Sequence, residues 1–334
     1  MIVPSLAAVR RLLTPALALL LAALAGCATA PGKNDANACP PEPPVATQAF
    51  LEQGLRDARD RGYLWRIERG GHASWLYGTL HVAAPAWAFP GPTVLRALKA
   101  SDVLAVELDM LDAKSLRPAL EDGAAPELDD ARRARRDAVA QNLCLPSPRL
   151  AALPLALQAS TLTLQGARRD GLYAEFGIDA ALSGAARAMG KRVRALERAD
   201  DQMRVLSGDS QAETLRRFDE TLGALESGTA RATIARLAYA WADSDLHTLA
   251  SYADWCNCAG TPAERALLHT LLGARNGPMA DRIAALHASG RKVFVAVGSL
   301  HMIGADGLPA LLAARGFTVT QVLPPPSPAA GEML

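Results

Sequence analysis

The sequence lacks several features that mark common functional classes. It has 35 Lys and Arg residues and 34 Asp and Glu residues, so it lacks the excess of basic charge that binding to nucleic acid requires. The apolar run at residues 12–25 is too short and too rich in alanine to predict a transmembrane helix. No Gly-x-Ser-x-Gly motif surrounds Ser299, so a serine nucleophile is not indicated there. The composition is that of a globular protein, with 334 residues, 50% of them hydrophobic and 21% charged.

The N-terminus carries the features of an export signal. Arg10 and Arg11 precede the apolar run, which ends in Leu24-Ala25-Gly26-Cys27. This order resembles the lipobox of bacterial lipoproteins, and it predicts a signal peptide at residues 1–26 and a lipidated Cys27. The alternative is an ordinary signal peptide followed by a chance cysteine. Acyl chains on Cys27 would attach the protein to a membrane. Because Ala28 rather than Asp follows, we expect the outer membrane, with the protein facing the periplasm.

The cysteines beyond Cys27 are even in number, which in an exported chain predicts disulfides. Three pairings are possible. We expect Cys256 and Cys258 not to pair with each other, because a one-residue loop strains the bridge. A metal site at these two residues is a weaker alternative, since their spacing differs from the usual Cys-x-x-Cys. The four cysteines are Cys39, Cys144, Cys256 and Cys258.

The order of the predicted elements indicates an α/β fold with a central mixed β-sheet, flanking helices and a large helical insertion. Gly70-Gly71 separates the first two predicted strands and indicates a hairpin. We expect an α/β domain at residues 49–323, preceded at 27–48 by the lipidated N-terminus and a tether. Within the domain, residues 199–288 are mostly helical in period, with a break at Asn276-Gly277-Pro278 among others. Residues 324–334 are predicted to be a loose tail. Strands are predicted at 63–68, 74–80, 102–108, 192–196, 293–297 and 317–322.

Two of the predicted strands end in the same Gly-x-x-His pattern. The sequences SWLYGTLH and VFVAVGSLH end at His81 and His301. Because ligands of α/β proteins bind at the carboxyl ends of strands, we expect these two histidines to lie together. Gly78 and Gly298 would let the backbone bend away from the sheet or let a ligand approach closely.

Two acidic residues also follow predicted strands. Glu107 and Glu197 occupy these positions, and histidine with carboxylate at one sheet edge predicts a metal or proton-transfer site. The alternative for Glu107 is to accept backbone N–H groups at a helix start. For Glu197 it is surface pairing with the neighbouring arginines. Asp109 is expected to act as a cap outside the site.

Several motifs, taken in chain order, resemble the TraB/GumN family. They are WLYGTLH, VLAVELD, GKRVRALE followed by Gln202, ARN at 274–276, and VAVGSLHMIGADGLPALLAARGFTV. The resemblance spans about residues 60–323 and implies an α/β fold with two Gly-x-x-His motifs. The family includes the animal TIKI proteins, described as metal-dependent proteases that use Mn²⁺ or Co²⁺. It is more remotely related to erythromycin-esterase-like and ChaN-like proteins.

The resemblance also implies roles for single residues. Arg275 would bind a substrate carboxylate or a developing oxyanion, and an ion pair with Glu107 or Glu197 is the alternative. Asn276 would contact the substrate, and a turn before Gly277-Pro278 is its alternative. The motif positions in this chain are Gly78, His81, Glu107, Glu197, Arg275, Asn276, Gly298 and His301.

Together these observations predict an exported, lipid-anchored hydrolase. His81, Glu107, Glu197 and His301 would hold a divalent metal (Mn, Co or Zn) or activate water directly, with Arg275 completing the catalytic set. Peptide is the first expected substrate and an ester the second. Two alternatives stay open. One is an envelope lipoprotein that binds a small molecule, metal or haem without turnover, and the other is a purely structural protein.

Overall fold

A six-stranded β-sheet lies at the centre of the computed structural model, which describes residues 38–121 and 126–325. The predicted signal peptide, the predicted lipidation site Cys27 and residues 326–334 of the predicted tail lie outside the described residues. The strands are β1 (Tyr63–Arg69), β2 (His72–Thr79), β3 (Val103–Val106), β4 (Arg192–Ala195), β5 (Val293–Gly298) and β6 (Thr318–Leu323).

The sheet is mixed, with the order β4-β3-β5-β2-β1-β6. The pairs β4–β3, β3–β5 and β5–β2 are parallel, whereas β1 runs antiparallel to both β2 and β6. The predicted hairpin is present, and Gly70 and Gly71 at its turn both have positive φ, which glycine adopts without steric cost. The parallel part places the carboxyl ends of β2, β3, β4 and β5 at one edge of the sheet. The predicted α/β fold with a central mixed sheet and flanking helices is confirmed.

Helices pack on the sheet and extend beyond it. Helices α8–α14 lie between β4 and β5, so residues 199–288 are helical as expected. Short 3-10 turns include Ser299–Met302, which follows β5 directly. The helices are α1 (Gln48–Arg56), α2 (Pro92–Ala100), α3 (Ala113–Glu121), α4 (Asp130–Asn142), α5 (Ser147–Ala151), α6 (Leu155–Ala167), α7 (Ile178–Ala188), α8 (Ala199–Ser207), α9 (Gln211–Glu226), α10 (Thr229–Ala242), α11 (Leu246–Ala250), α12 (Tyr252–Trp255), α13 (Pro262–Leu271), α14 (Gly273–Ala288) and α15 (Leu308–Ala314).

The main hydrophobic core forms around the parallel strands. The residues of β3 and residues 293–297 of β5 are buried on both faces, which explains their continuous apolar sequences VLAV and VFVAV. Trp241 of α10 and Ile283 of α14 belong to the same core. Phe218 and Leu222 of α9 instead pack with residues of α4–α6 in a second cluster. The helical stretch after β4 therefore contributes to two hydrophobic clusters.

The predicted helix break at Asn276-Gly277-Pro278 is wrong. These residues lie inside α14, and the chain breaks instead at Leu272, whose φ and ψ are −122° and −71°. Pro278 is the sixth residue of the helix, so its missing N–H removes one hydrogen bond near the helix start. The Asn276 side chain makes two hydrogen bonds to residues after β5, which help to hold this first part of the helix in place.

The expectation that Cys256 and Cys258 would not pair is also wrong. They form a disulfide with a Cα–Cα distance of 5.1 Å, and Asn257 between them adopts a left-handed φ of 55°. Asparagine tolerates this conformation better than most residues, so the tight loop can close. Because both sulfur atoms are in the disulfide, neither is a free thiolate, and the alternative of a metal site at these two residues is wrong.

The second disulfide joins Cys39 to Cys144 across 105 residues. It links Cys39, within the predicted tether, to the segment that follows α4. Glu42, three residues after Cys39, forms an ion pair with Arg168 (3.1 Å). Within residues 38–121 and 126–325, no helix is long and apolar enough to cross a membrane.

Candidate functional site

Four predicted site residues follow the four strands that end at one edge of the sheet. His81 follows β2, Glu107 follows β3, Glu197 follows β4 and His301 follows β5. Thr79 pairs with Gly298 in the parallel register of β2 and β5, so the two Gly-x-x-His turns start side by side. The expected convergence at the strand ends is therefore present in the backbone topology.

The carboxylate of Glu107 contacts residues from several of the elements that meet at this edge. Its Oε1 accepts the backbone N–H of Gly298 (2.6 Å) and lies 3.8 Å from Nε2 of His301. Its Oε2 accepts hydrogen bonds from Nη2 of Arg275 (2.7 Å) and from Nε2 of Gln202 (3.3 Å). Its side chain is 8% exposed. Glu107 does accept a backbone N–H, but from the end of β5 rather than from a helix start.

Arg275 of α14 holds both carboxylates. Its Nε donates to Glu197 Oε1 (2.9 Å), and its Nη2 donates to Glu197 Oε2 and to Glu107. Its Nη1 donates to the carbonyl of Leu271 (2.8 Å). The ion pair considered as an alternative for Arg275 is thus present with both glutamates, and every guanidinium nitrogen already has an acceptor. Glu197 pairs with Arg275 rather than with its neighbours in the sequence.

The two glycines provide space for groups of the protein itself. A Cβ added at Gly78 would lie 2.9 Å from Oγ of Ser299 and 3.2 Å from its Cα. A Cβ added at Gly298 would lie 3.1 Å from Glu107 Oε1. The buried Ser299 hydroxyl donates to the carbonyl of Thr79 (2.9 Å) and so joins the two turns. The groups that approach these glycines are side chains of the protein, Ser299 at Gly78 and Glu107 at Gly298, and the approach of a ligand to either glycine stays a prediction.

His301 is held in one tautomer by Asn276. The Asn276 amide nitrogen donates to the carbonyl of Asp306 (2.7 Å), so its Oδ1 faces Nδ1 of His301 at 2.6 Å. Because Oδ1 can only accept, Nδ1 carries the proton, and in the neutral ring Nε2 is the basic nitrogen. His301 is 3% exposed, and this burial lowers the pKa of its imidazole. The turn proposed as an alternative for Asn276 is absent.

His81 has the opposite environment. Its Nδ1 is 2.9 Å from Oδ2 of Asp179, and its side chain is 65% exposed. The Asp179 charge raises the pKa of His81 to about 9, with a hydrogen bond to the same carboxylate and the Glu107 charge adding to the effect. Asp179 also accepts the hydroxyl hydrogen bond of Thr79. At neutral pH His81 is therefore a cation and His301 is neutral.

Glu107 is ionised under the same conditions. Burial by itself would raise the pKa of its carboxyl group, but His301, His81, Arg275 and the N–H of Gly298 outweigh burial and place the pKa at about 2. Glu107 therefore carries a negative charge that favours the protonated form of both histidines.

The donor groups do not fit a metal ion in this arrangement. Throughout the described part of the chain, no group of three or more His, Cys, Asp or Glu side chains could hold a metal. Arg275 takes both oxygens of Glu197 and one of Glu107, and the other oxygen of Glu107 accepts the N–H of Gly298. A catalytic metal usually needs three protein ligands.

Two residues in contact with this group were not among the predicted site residues. Asp179 lies in the first turn of α7, and its sequence position gives no sign that it reaches His81. Gln202 belongs to the motif that follows Glu197 and could have been found from it. Asp109 accepts the N–H of Leu111 (3.2 Å) in the turn before α3 and pairs with Arg187, so, contrary to expectation, it does not cap that helix.

Comparison with known proteins shows which family has this arrangement of strands and motifs. The chain is 29% identical over 275 residues to the uncharacterized protein YbaP of Escherichia coli (strain K12), which covers 75% of this chain and 96% of that protein. The same values hold for the uncharacterized protein YbaP of Shigella flexneri. No solved structure matches. Residues 63–321 match the model of the TraB/PrgY/gumN family, and they run from β1 into β6. The chain therefore belongs to the TraB/PrgY/gumN family.

Proposed function

We propose that this protein is a hydrolase in which His301 acts as general base and His81 as general acid. The main support is that the two imidazoles follow neighbouring parallel strands. Their environments raise the pKa of His81 and lower the pKa of His301. Titratable groups whose pKa values are pushed apart are the arrangement that acid–base catalysis near neutral pH requires.

The proton movements follow from the hydrogen bonds. Nε2 of His301 takes a proton from an attacking water molecule, and the ionised Glu107, 3.8 Å away, stabilises the imidazolium that forms. The exposed His81 imidazolium gives its proton to the leaving group, so the pair ends each turnover in the reverse protonation states. Exchange with solvent resets both. Arg275 and the Gly298 N–H keep Glu107 in place during these steps.

For the substrate class and the location, we propose what the sequence led us to expect. We propose a peptide as the first substrate class and an ester as the second, acted on by a protein anchored to the outer membrane through lipid on Cys27. The predicted Mn²⁺, Co²⁺ or Zn²⁺ stays a prediction, and no step above uses a metal.

A second candidate is the capture of an anionic ligand without turnover. It is favoured by the charges at the site, where Arg275 pairs with both glutamates while the cationic His81 is 65% exposed. An anion could bind His81 without reaching His301.

The two candidates are separated by testing single variants of the full chain purified in detergent. His81→Ala and His301→Ala are compared with wild type on a peptide library and an ester panel, with chelator and with Mn²⁺, Co²⁺ or Zn²⁺ added. His247→Ala is the matched control, because His247 is exposed on α11. We expect both site variants to lose hydrolysis and the control to keep it. Absence of hydrolysis by wild type under all conditions, with an unaltered ligand recovered, would favour capture. Elemental analysis of protein purified without chelator tests the metal.

A further inference from the structure

The two disulfides of this chain differ in what they can do for the fold. Cys39–Cys144 closes a loop across 105 residues, whereas Cys256–Cys258 spans two positions. A cross-link stabilises mainly by restricting the unfolded chain, and this effect grows with loop length. A one-residue loop barely restricts the unfolded chain. The Cys256–Cys258 bridge therefore contributes little to stability, and folding in turn gives it little protection from reduction.

The surroundings of this bridge distinguish its two sulfur atoms. Cys256 is 4% exposed, whereas Cys258 is partly exposed and follows the exposed Asn257. The backbone N–H of Cys258 donates to Sγ of Cys256 (3.1 Å). A donated N–H favours the thiolate form of the sulfur that accepts it. Cys256 is thus the better leaving group, and Cys258 is the sulfur that an incoming reagent can reach.

We propose that Cys256–Cys258 is a redox-active disulfide that exchanges with external thiols. An incoming thiolate attacks Sγ of Cys258 and forms a mixed disulfide. The Sγ–Sγ bond breaks, and its electron pair stays on Cys256 as a thiolate that accepts the Cys258 N–H. A second thiol, attacking the sulfur of the first reagent, releases Cys258 as a thiolate and carries away the oxidised reagent. The bridge is reduced by two electrons, and two thiols are oxidised to one disulfide. The partner is a small-molecule or protein thiol.

The Cys39–Cys144 bridge is an internal reference for the test. The full chain is equilibrated with graded ratios of reduced to oxidised glutathione, quenched with acid, alkylated, and analysed by peptide mass spectrometry for each pair. We expect half-reduction of Cys256–Cys258 at a glutathione ratio about 100-fold less reducing than for Cys39–Cys144. Reduction of both pairs together, or of Cys39–Cys144 first, would overturn the proposal.

Single serine variants test which sulfur is attacked. In Cys256→Ser, the remaining Cys258 should be captured by oxidised glutathione as a mixed disulfide. In Cys258→Ser, the buried Cys256 should be captured at least about tenfold more slowly, as its exposure predicts. Equal capture at the two positions, or capture only at Cys256, would contradict the assigned order. Far-ultraviolet circular dichroism of each variant shows that it is folded.

Discussion

Asn276 accepts a hydrogen bond from Nδ1 of His301 at 2.6 Å, and this contact joins helix α14 to the turn after β5. The amide cannot turn over without losing its other bond, to the carbonyl of Asp306. The basic Nε2 of His301 is consequently directed away from Asn276, and Glu107 Oε1 is 3.8 Å from it. The protonation state assigned to the proposed base depends on this one side chain.

Replacing Asn276 should change both stability and the state of His301. Asn276→Ala leaves a buried N–H without an acceptor, which we expect to cost about 1–3 kcal/mol in the free energy of unfolding by urea. Asn276→Asp keeps an acceptor and adds a negative charge, so it should raise the pKa of His301. Equal stability of Asn276→Ala and wild type would show that the bond does not form.

Removal of Arg275 should destabilise the protein strongly. Arg275→Ala leaves the carboxylates of Glu107 and Glu197 buried and unpaired, and we expect a loss of about 3–5 kcal/mol in the free energy of unfolding. Arg275→Lys keeps a charge but not the forked geometry, so its loss should be smaller. Arg198→Ala is the control, because Arg198 pairs with Asp200 at the surface and should barely move the urea midpoint. A loss as small as that of the control would contradict the ion cluster.

Gly78 and Gly184 should respond oppositely to alanine. At Gly78 the new Cβ meets Ser299 Oγ at 2.9 Å and Cα at 3.2 Å, so we expect a cost of about 1–3 kcal/mol. Gly184 is exposed in α7 with nothing within 4 Å of the new Cβ, so alanine should stabilise by about 0.5–1 kcal/mol. Urea unfolding measures both. Stabilisation by Gly78→Ala would mean that the two turns are farther apart than the structure has them.

The His81–Asp179 pair should make stability depend on pH in the alkaline range. The folded-state pKa of about 9 lies above the ordinary 6.5, so this contribution is complete below about pH 6.5 and is lost as pH rises through 9. We expect the urea midpoint of wild type to fall between pH 6.5 and 9, and this slope to flatten in Asp179→Asn. Asp130→Asn, at an exposed position on α4, should keep the slope of wild type. An unchanged slope in Asp179→Asn would rule out the pairing.

Strands β2, β3 and β5, and the edge at which they end, could be predicted because each contains an uninterrupted apolar run, at residues 75–77, 103–106 and 293–297. The same runs led to His81, Glu107 and His301 at their ends. Asp179 could not be predicted, because it reaches His81 from a helix 98 residues later and its position follows from packing. Pro278 suggested a break in the helix, but the helix continues through it, and contacts such as the two hydrogen bonds of Asn276 help to hold it in place.

The Cys256–Cys258 bridge was mispredicted for a local reason. Loop length alone disfavours it, but the left-handed backbone of Asn257 lets the two sulfur atoms meet. Pairing of Glu197 with Arg275 rather than with adjacent arginines likewise depends on a residue 78 positions away. The sequence motifs offered this ion pair as the alternative role of Arg275, but only the fold shows that Arg275 reaches both glutamates.

We infer that His81 and His301 hold opposite protonation states at neutral pH. Histidine side-chain NMR of ¹⁵N-labelled protein measures this directly, with His81→Gln and His301→Gln to assign the resonances. We expect His81 to lose its second ring proton only near pH 9, and His301 at pH 7 to be neutral with its proton on Nδ1. Titration of both rings together near pH 6.5 would contradict it.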